Sequence, residues 1–265
     1  MVCGAGETGF LVLDELGRTG ASAVAVDLKA ERLDALAERP GLATVEGDAT
    51  DVRRRAVLTP EDPSYPGVRR DRFARVGEKI ETLRVGVVDF AEKQAIWLPI
   101  ETPPEGFYLG QVEWAGNSSE ILVETLSRFR DQREFLLVTV GGQIKKIYSE
   151  TNAAWAESAQ GKNSGLTWIR NGEAFVVVTE KDGWRHAYSY SRDGKNETLL
   201  TKGDYDVIDR AVIDERGGWY YFYASPKNGT QRYLYRVPLD GSGTLERVTP
   251  QEQPGTHDDK FSPDA

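Results

Sequence analysis

Ala174-Phe-Val-Val-Val178, Arg185-His-Ala-Tyr-Ser-Tyr190 and Glu197-Thr-Leu-Leu200 are short runs rich in β-branched and aromatic residues, the last two separated by Asp193-Gly194. Such runs read as antiparallel strands, and Asp-Gly between two of them is the chemistry of a tight hairpin turn. Leu166-Thr-Trp168, just upstream and followed by Gly172, adds an opening strand, so one stretch holds four strands in succession.

The phrase recurs along the chain. Val112-Glu-Trp114-Ala-Gly116, Ala211-Val-Ile213 with Gly217-Gly218, and Asp259-Lys-Phe261-Ser-Pro-Asp264 repeat the opening, at a spacing of roughly 45–55 residues. Ile121-Leu-Val123, Phe135-Leu-Leu-Val138 and Ile144-Lys-Lys-Ile-Tyr148 complete one copy; Trp219-Tyr-Tyr-Phe-Tyr223, Tyr233-Leu-Tyr-Arg-Val237 and Glu246-Arg-Val248 complete another. Gly141-Gly142 and Asp240-Gly241 supply their turns. Four strands per repeat of this length is the arithmetic of a β-propeller blade. Val85-Gly-Val-Val88 and Ala95-Ile-Trp97 read as the last two strands of an earlier blade. The expectation is a mainly β fold with about three and a half blades, part of a larger ring.

Composition supports a folded chain: of 265 residues 39% are hydrophobic, which is enough apolar material for a core. A net charge of −9 argues against a nucleic-acid surface. A peptide or small-molecule ligand fits better. No run approaches the length of a membrane span, and the N-terminus lacks a signal-peptide layout, so the chain as written is expected in the cytoplasm. Cys3 alone forms no internal disulfide, and two histidines cannot build a zinc cluster of the usual kind.

The first 56 residues differ. Val2-Cys3 reads as a strand stub running into Gly4-Ala-Gly-Glu-Thr-Gly9, a G-x-G-x-x-G turn that opens a helix through about Gly17. Ala23-Val-Ala-Val26 reads as a second strand ending at Asp27, Ala30 to Glu38 as a second helix, Ala43-Thr-Val45 as a third strand, and Gly47-Asp-Ala-Thr50 as the turn beyond it. This half of a Rossmann-like α/β fold resembles the TrkA-N (RCK) domain, the NAD-binding regulatory module of potassium transport systems. The resemblance stops at about residue 52. It implies that Gly4, Gly6, Glu7, Thr8 and Gly9 line a pyrophosphate, Asp27 the ribose, and Asp48 and Ala49 the adenine side. NAD is the cofactor implied. The expected organisation is a nucleotide-binding segment over 1–56, a proline-rich linker over 57–67, and a partial propeller over 68–265.

From about Tyr65 onward a second resemblance holds. Glu180-Lys-Asp-Gly-Trp-Arg-His186 with Tyr188, Thr201-Lys-Gly-Asp204, Gly217-Gly-Trp-Tyr-Tyr-Phe222, Leu234-Tyr-Arg-Val-Pro-Leu-Asp-Gly241, and Gly255-Thr-His257 with Phe261-Ser-Pro-Asp264 resemble the N-terminal propeller of dipeptidyl peptidase IV-type serine peptidases. That resemblance implies a propeller that gates and orients peptides for a hydrolase domain. No G-x-S-x-G occurs, so no catalytic residue can be assigned and the chain is expected to be inactive alone. Its partners would be a peptide substrate or the hydrolase domain. The alternatives are an NAD-sensing module of the TrkA-N type, or an artificial fusion of two reading frames with no single function.

Other residues have plainer readings. His186 lies in a strand and lacks a nucleophile partner; His257 lies in a loop and could line a pocket. The run 219–223 is expected to pack blade on blade. Asp204, Asp206 and Asp209 lack the rest of a calcium loop and read as turn acids. Asn117, Asn196 and Asn228 each begin an Asn-x-Ser/Thr glycosylation pattern, with no secretory compartment implied. Open strand edges in both halves are expected to favour self-association.

Overall fold

The computed structural model describes residues 2–3, 23–27, 42–48, 54–59, 67–72, 77, 79–80, 82–89, 94–156 and 165–262, the first five of these stretches as backbone only. Among them the fold is mainly β, and the single helical element is the 3-10 turn Arg170–Gly172. No described helix is long and apolar enough to cross a membrane. The chain divides into two compact units, Met1–Glu113 with Val138–Ile144, and Trp114–Leu137 with Lys145–Ala265.

The first unit holds β1 (Val2–Cys3), β2 (Ala23–Asp27), β3 (Leu42–Asp48), β4 (Arg54–Thr59), β5 (Gly67–Arg72), β6 (Thr82–Asp89) and β7 (Gln94–Trp97). Five of these form a sheet of order β1-β2-β3-β6-β7. Its first three strands run parallel, whereas β6 lies antiparallel on β3 from Ala43↔Val87 to Asp48↔Thr82. The strands expected at 85–88 and 95–97 are therefore present and paired, but they extend the preceding sheet rather than forming a separate half-blade. A free β6 edge would expose a row of backbone donors and acceptors, and β3 takes them up. The expected linker overlaps a hairpin: residues 57–59 and 67 pair within β4 and β5. Gly86 fits its place because a β-carbon there would stand 2.9 Å from the Trp97 ring.

Three four-stranded sheets follow. Sheet I has the order β11-β10-β9-β8, from β8 (Phe107–Trp114), β9 (Glu120–Ser127), β10 (Gln132–Thr139) and β11 (Ile144–Thr151). Sheet II runs β12 (Thr167–Ile169), β13 (Ala174–Thr179), β14 (His186–Ser191), β15 (Glu197–Leu199). Sheet III runs β16 (Val207–Asp214), β17 (Trp219–Ala224), β18 (Tyr233–Pro238), β19 (Glu246–Arg247). Neighbouring strands in sheets II and III are antiparallel, the meander that the turn residues call for.

Within the second unit β13 explains how the sheets hold together. All six of its residues are buried, because its alternate side chains serve two cores. Phe175 and Val177 pack with Leu122, Phe135 and Ile147 of sheet I. Ala174, Val176 and Val178 pack with Tyr220, Phe222 and Val237 of sheet III. The run 219–223 thus contributes to packing between sheets, as expected. Gly194, in the β14–β15 turn, has φ +77°, and a β-carbon on it would fall 1.8 Å from the Ile147 carbonyl oxygen. Only glycine satisfies both the backbone and the approach.

Candidate functional site

Charged and hydroxyl side chains gather around the core between sheets I and II. Glu124 on β9 and Arg133 on β10 are almost completely buried, at 0% and 1% exposure, and form an ion pair of 2.7 Å. The Arg133 guanidinium also reaches the Val178 carbonyl oxygen at 3.4 Å and lies 3.9 Å from Glu150 on β11. Glu150 in turn accepts hydrogen bonds from the hydroxyls of Tyr148 and, at 2.6 Å, Thr179. Burial and the neighbouring Glu150 carboxylate push the Tyr148 phenol far above its ordinary value of 10.0. A buried charge pair of this kind is retained only when each partner remains satisfied.

Lys181, in the β13–β14 loop, extends the network. Its ammonium donates to the Tyr190 hydroxyl at 2.9 Å, pairs with Glu197, and lies 4.1 Å from the Tyr188 ring centroid. Burial works against ionisation of Glu197, but the hydrogen bonds from Lys181 and Tyr190 hold its carboxyl below 4.5. Lys146, Tyr148, Lys181, Asp193 and Glu197 help to line an open groove of about 360 Å³. Its mixed charge suits a polar ligand, and its two walls come from different sheets.

On another side of the same seam Arg192 acts as a clamp. Its guanidinium donates to the carbonyl oxygens of Ala115 at 2.9 Å and Gly172 at 2.6 Å, pairs with Glu120 at 2.6 Å, and lies over the Trp168 ring at 4.7 Å. The hydrogen bond from Arg192 holds the Glu120 carboxyl below 4.5, against its partial burial.

His186 is buried with both ring nitrogens engaged. Nδ1 lies 2.8 Å from Asp182 Oδ2 and Nε2 lies 3.0 Å from the Gly203 carbonyl oxygen. Asp182 also accepts from the Tyr188 hydroxyl at 2.7 Å. Neither nitrogen is turned toward a nucleophile, which agrees with the structural role read from the sequence. His257 Nε2 faces the Gln253 carbonyl oxygen at 3.1 Å, and its ring rests on Tyr233. Asp206 accepts from the Arg185 backbone and Asp209 pairs with Arg232; among the described residues no group of His, Cys, Asp and Glu is placed to hold a metal.

The residues assigned to NAD fall elsewhere. Gly4, Gly6, Glu7, Thr8, Gly9 and Ala49 lie outside the described residues, and Asp27 and Asp48 end β2 and β3, of which the backbone alone is described. Sequence reading did not single out Glu124, Arg133, Glu150 or Arg192. The available signal was Glu124 within Ile121-Leu-Val-Glu-Thr-Leu126, a charge interrupting an apolar strand.

Comparison with known proteins gives a consistent result. The family described as the dipeptidyl peptidase IV (DPP IV) N-terminal region matches residues 8–265, beginning well upstream of Tyr65. The chain is 25% identical over 182 residues to dipeptidyl peptidase 4 of Trichophyton rubrum, covering 67% of this chain and 23% of that protein. It is 25% identical over 194 residues to dipeptidyl peptidase 4 of Trichophyton equinum, covering 72% and 25%. The crystal structure of Porphyromonas gingivalis dipeptidyl peptidase 4 has the same fold over 83% of this chain and 30% of its own, with a TM-score of 0.69 and 24% identity. The chain thus spans about a quarter of the length of these curated relatives. With nearly its whole length matched, the chain belongs to the dipeptidyl peptidase IV N-terminal region family.

Proposed function

We propose that the chain acts as the non-catalytic propeller portion of a dipeptidyl peptidase, gating and orienting a peptide while the bond-breaking groups come from another part of a longer protein. The observation that carries this reading is the succession of four-stranded sheets locked face to face through β13, in a chain matched to the DPP IV N-terminal region over residues 8–265. The absence of G-x-S-x-G from the sequence and the fully engaged His186 ring agree with a supporting role. The purified chain is expected to leave an Xaa-Pro chromogenic substrate intact. Release of the dipeptide by the chain alone overturns the assignment.

The parallel order β1-β2-β3 supports a second reading for the first unit. In it, Gly4, Gly6, Glu7, Thr8 and Gly9 hold a pyrophosphate, Asp27 the ribose, and Asp48 and Ala49 the adenine side of NAD. Titration calorimetry with NAD and NADH is expected to show saturable heat. No heat at millimolar ligand removes this reading.

A further inference from the structure

The chain contains two Asn-Gly dipeptides, Asn171-Gly172 and Asn228-Gly229, and the fold treats them oppositely. In such a pair the backbone nitrogen of glycine can attack the preceding side-chain amide, because no β-carbon crowds it and its backbone turns freely.

Asn171 sits in the turn between β12 and β13 with φ 53° and ψ 34°. Gly172 behind it is buried, and its carbonyl oxygen is held by Arg192 at 2.6 Å. A β-carbon on Gly116 would stand 3.1 Å from the Gly172 Cα, so the two backbones nearly touch. Closing a ring at Asn171 would rotate the Asn171–Gly172 peptide and draw Gly172 out of this clamp.

Asn228 lies in the turn joining β17 and β18, where residues 227–230 are all exposed. A β-carbon on Gly229 would meet nothing within 4 Å. The Asn228 side-chain oxygen accepts from the Thr230 backbone N–H at 3.1 Å and the Thr230 hydroxyl at 2.8 Å. Two donors on one carbonyl draw electron density from Cγ, the atom that the Gly229 nitrogen would attack.

We propose that Asn228 is a site of spontaneous covalent modification, with water as the co-reactant. The Gly229 nitrogen loses its proton and bonds to Asn228 Cγ; the Cγ–Nδ2 bond breaks, ammonia leaves with that proton, and a five-membered imide remains. Water opens the imide at either carbonyl, giving aspartate or isoaspartate. No oxidant or reductant is needed. Each event makes the chain, at −9, one charge more negative. The isoaspartate route also adds a methylene to the backbone of the turn closed by the Gln231 N–H to Asn228 carbonyl bond of 3.0 Å, and removes the acceptor amide of Asn228-Gly-Thr230.

The test ages the folded 265-residue chain at mildly alkaline pH and maps tryptic peptides by mass. Cleavage after Lys227 and Arg232 isolates Asn228, and cleavage after Arg170 and Lys181 isolates Asn171. The first peptide is expected to gain about one mass unit and to resolve into two products, each incorporating heavy oxygen from labelled water, while the second stays unchanged. In denaturant both are expected to convert at similar rates. Gly229→Ala, which the open surroundings accommodate, is expected to slow conversion at Asn228 roughly tenfold. Conversion of Asn171 as fast as Asn228 in the folded chain overturns the proposal. So does an Asn228 that persists in the folded chain while the denatured chain converts.

Discussion

β13 sends Phe175 and Val177 into a core shared with sheet I, and Ala174, Val176 and Val178 into a core shared with sheet III. The first seam is bordered by charge: the Glu124–Arg133 pair, Glu150 with its two hydroxyl donors, and the Arg192 clamp on Glu120. The second is apolar, with aliphatic side chains around Tyr205, which is stacked on Phe222, and with the buried hydroxyls of Tyr205 and Tyr220 lacking a hydrogen-bond partner among the described residues. One strand with near-uniform apolar sequence therefore supports two seams that depend on different physics. The charged seam needs every partner present. The apolar seam needs volume and shape.

Removing one partner from the charged seam is expected to have the largest effect. Arg133→Met takes from the buried Glu124 carboxylate its 2.7 Å ion-pair partner, a change that costs about 3–5 kcal/mol. The double variant Glu124→Leu, Arg133→Met replaces both charges by apolar groups and is expected to recover most of the loss in a urea unfolding series. On the apolar seam Phe222→Leu nearly conserves volume and is expected to cost about 1 kcal/mol. If Arg133→Met costs no more than Phe222→Leu, the contrast between the seams fails.

The two seams are also expected to part company in acid. Glu120, Asp182 and Glu197 all border the first seam or the network beside it, and each is held below its ordinary value in the folded chain. For Asp182, burial opposes this, and the hydrogen bonds from His186, Tyr188 and the Trp184 backbone overcome it. Depressed carboxyl values stabilise the fold above the unfolded values of 4.5 and 3.8, and that contribution fades as pH falls through the folded ones. Hydrogen exchange at about pH 3 should therefore show β9 losing protection before β17. In alkali the contrast should vanish. Tyr148, Tyr188 and Tyr190 at the first seam and Tyr205 and Tyr220 at the second are all raised above 10.0, first of all by burial. Stability from a raised phenol is complete below 10.0 and declines as pH rises past it. Loss of protection confined to one seam in alkali would show that the tyrosines do not share this cause.

Strand positions were legible because β-branched and aromatic runs bounded by Asp-Gly are strong local signals. Ala174–Thr179, Trp219–Ala224 and Tyr233–Pro238 lie within about one residue of where those runs begin and end. Pairing was less legible. Nothing local in Val85-Gly-Val-Val88 says that β6 will take β3 as its neighbour, since an edge accepts whichever strand the chain brings to it. The Glu124–Arg133 pair was hidden for a related reason. Glu124 shows in the sequence only as a charge interrupting an apolar strand, and nothing local to either strand names Arg133 as its partner; the pairing of β9 with β10 brings the two together. Arg170 and Asn171, both with φ 53°, were hidden because non-glycine residues adopt that conformation only when surrounding structure imposes it.

The smallest expected effect separates the buried network from its exposed fringe. Lys146 on β11 pairs with Glu134 on β10 at 2.9 Å, but their side chains are 53% and 34% exposed. Water and salt screen such a pair, and ordering two long side chains offsets much of the attraction. Lys146→Ala is therefore expected to change stability by less than about 1 kcal/mol and to become silent at high salt. Lys146 also lines the groove between the two sheets, so the same variant separates two roles of one side chain. A stability loss comparable to that of Arg133→Met would mean that the charged network extends through the groove to its outer wall. A silent variant places Lys146 outside the energetically coupled charges and leaves it free to serve a ligand in the groove without a cost to the fold.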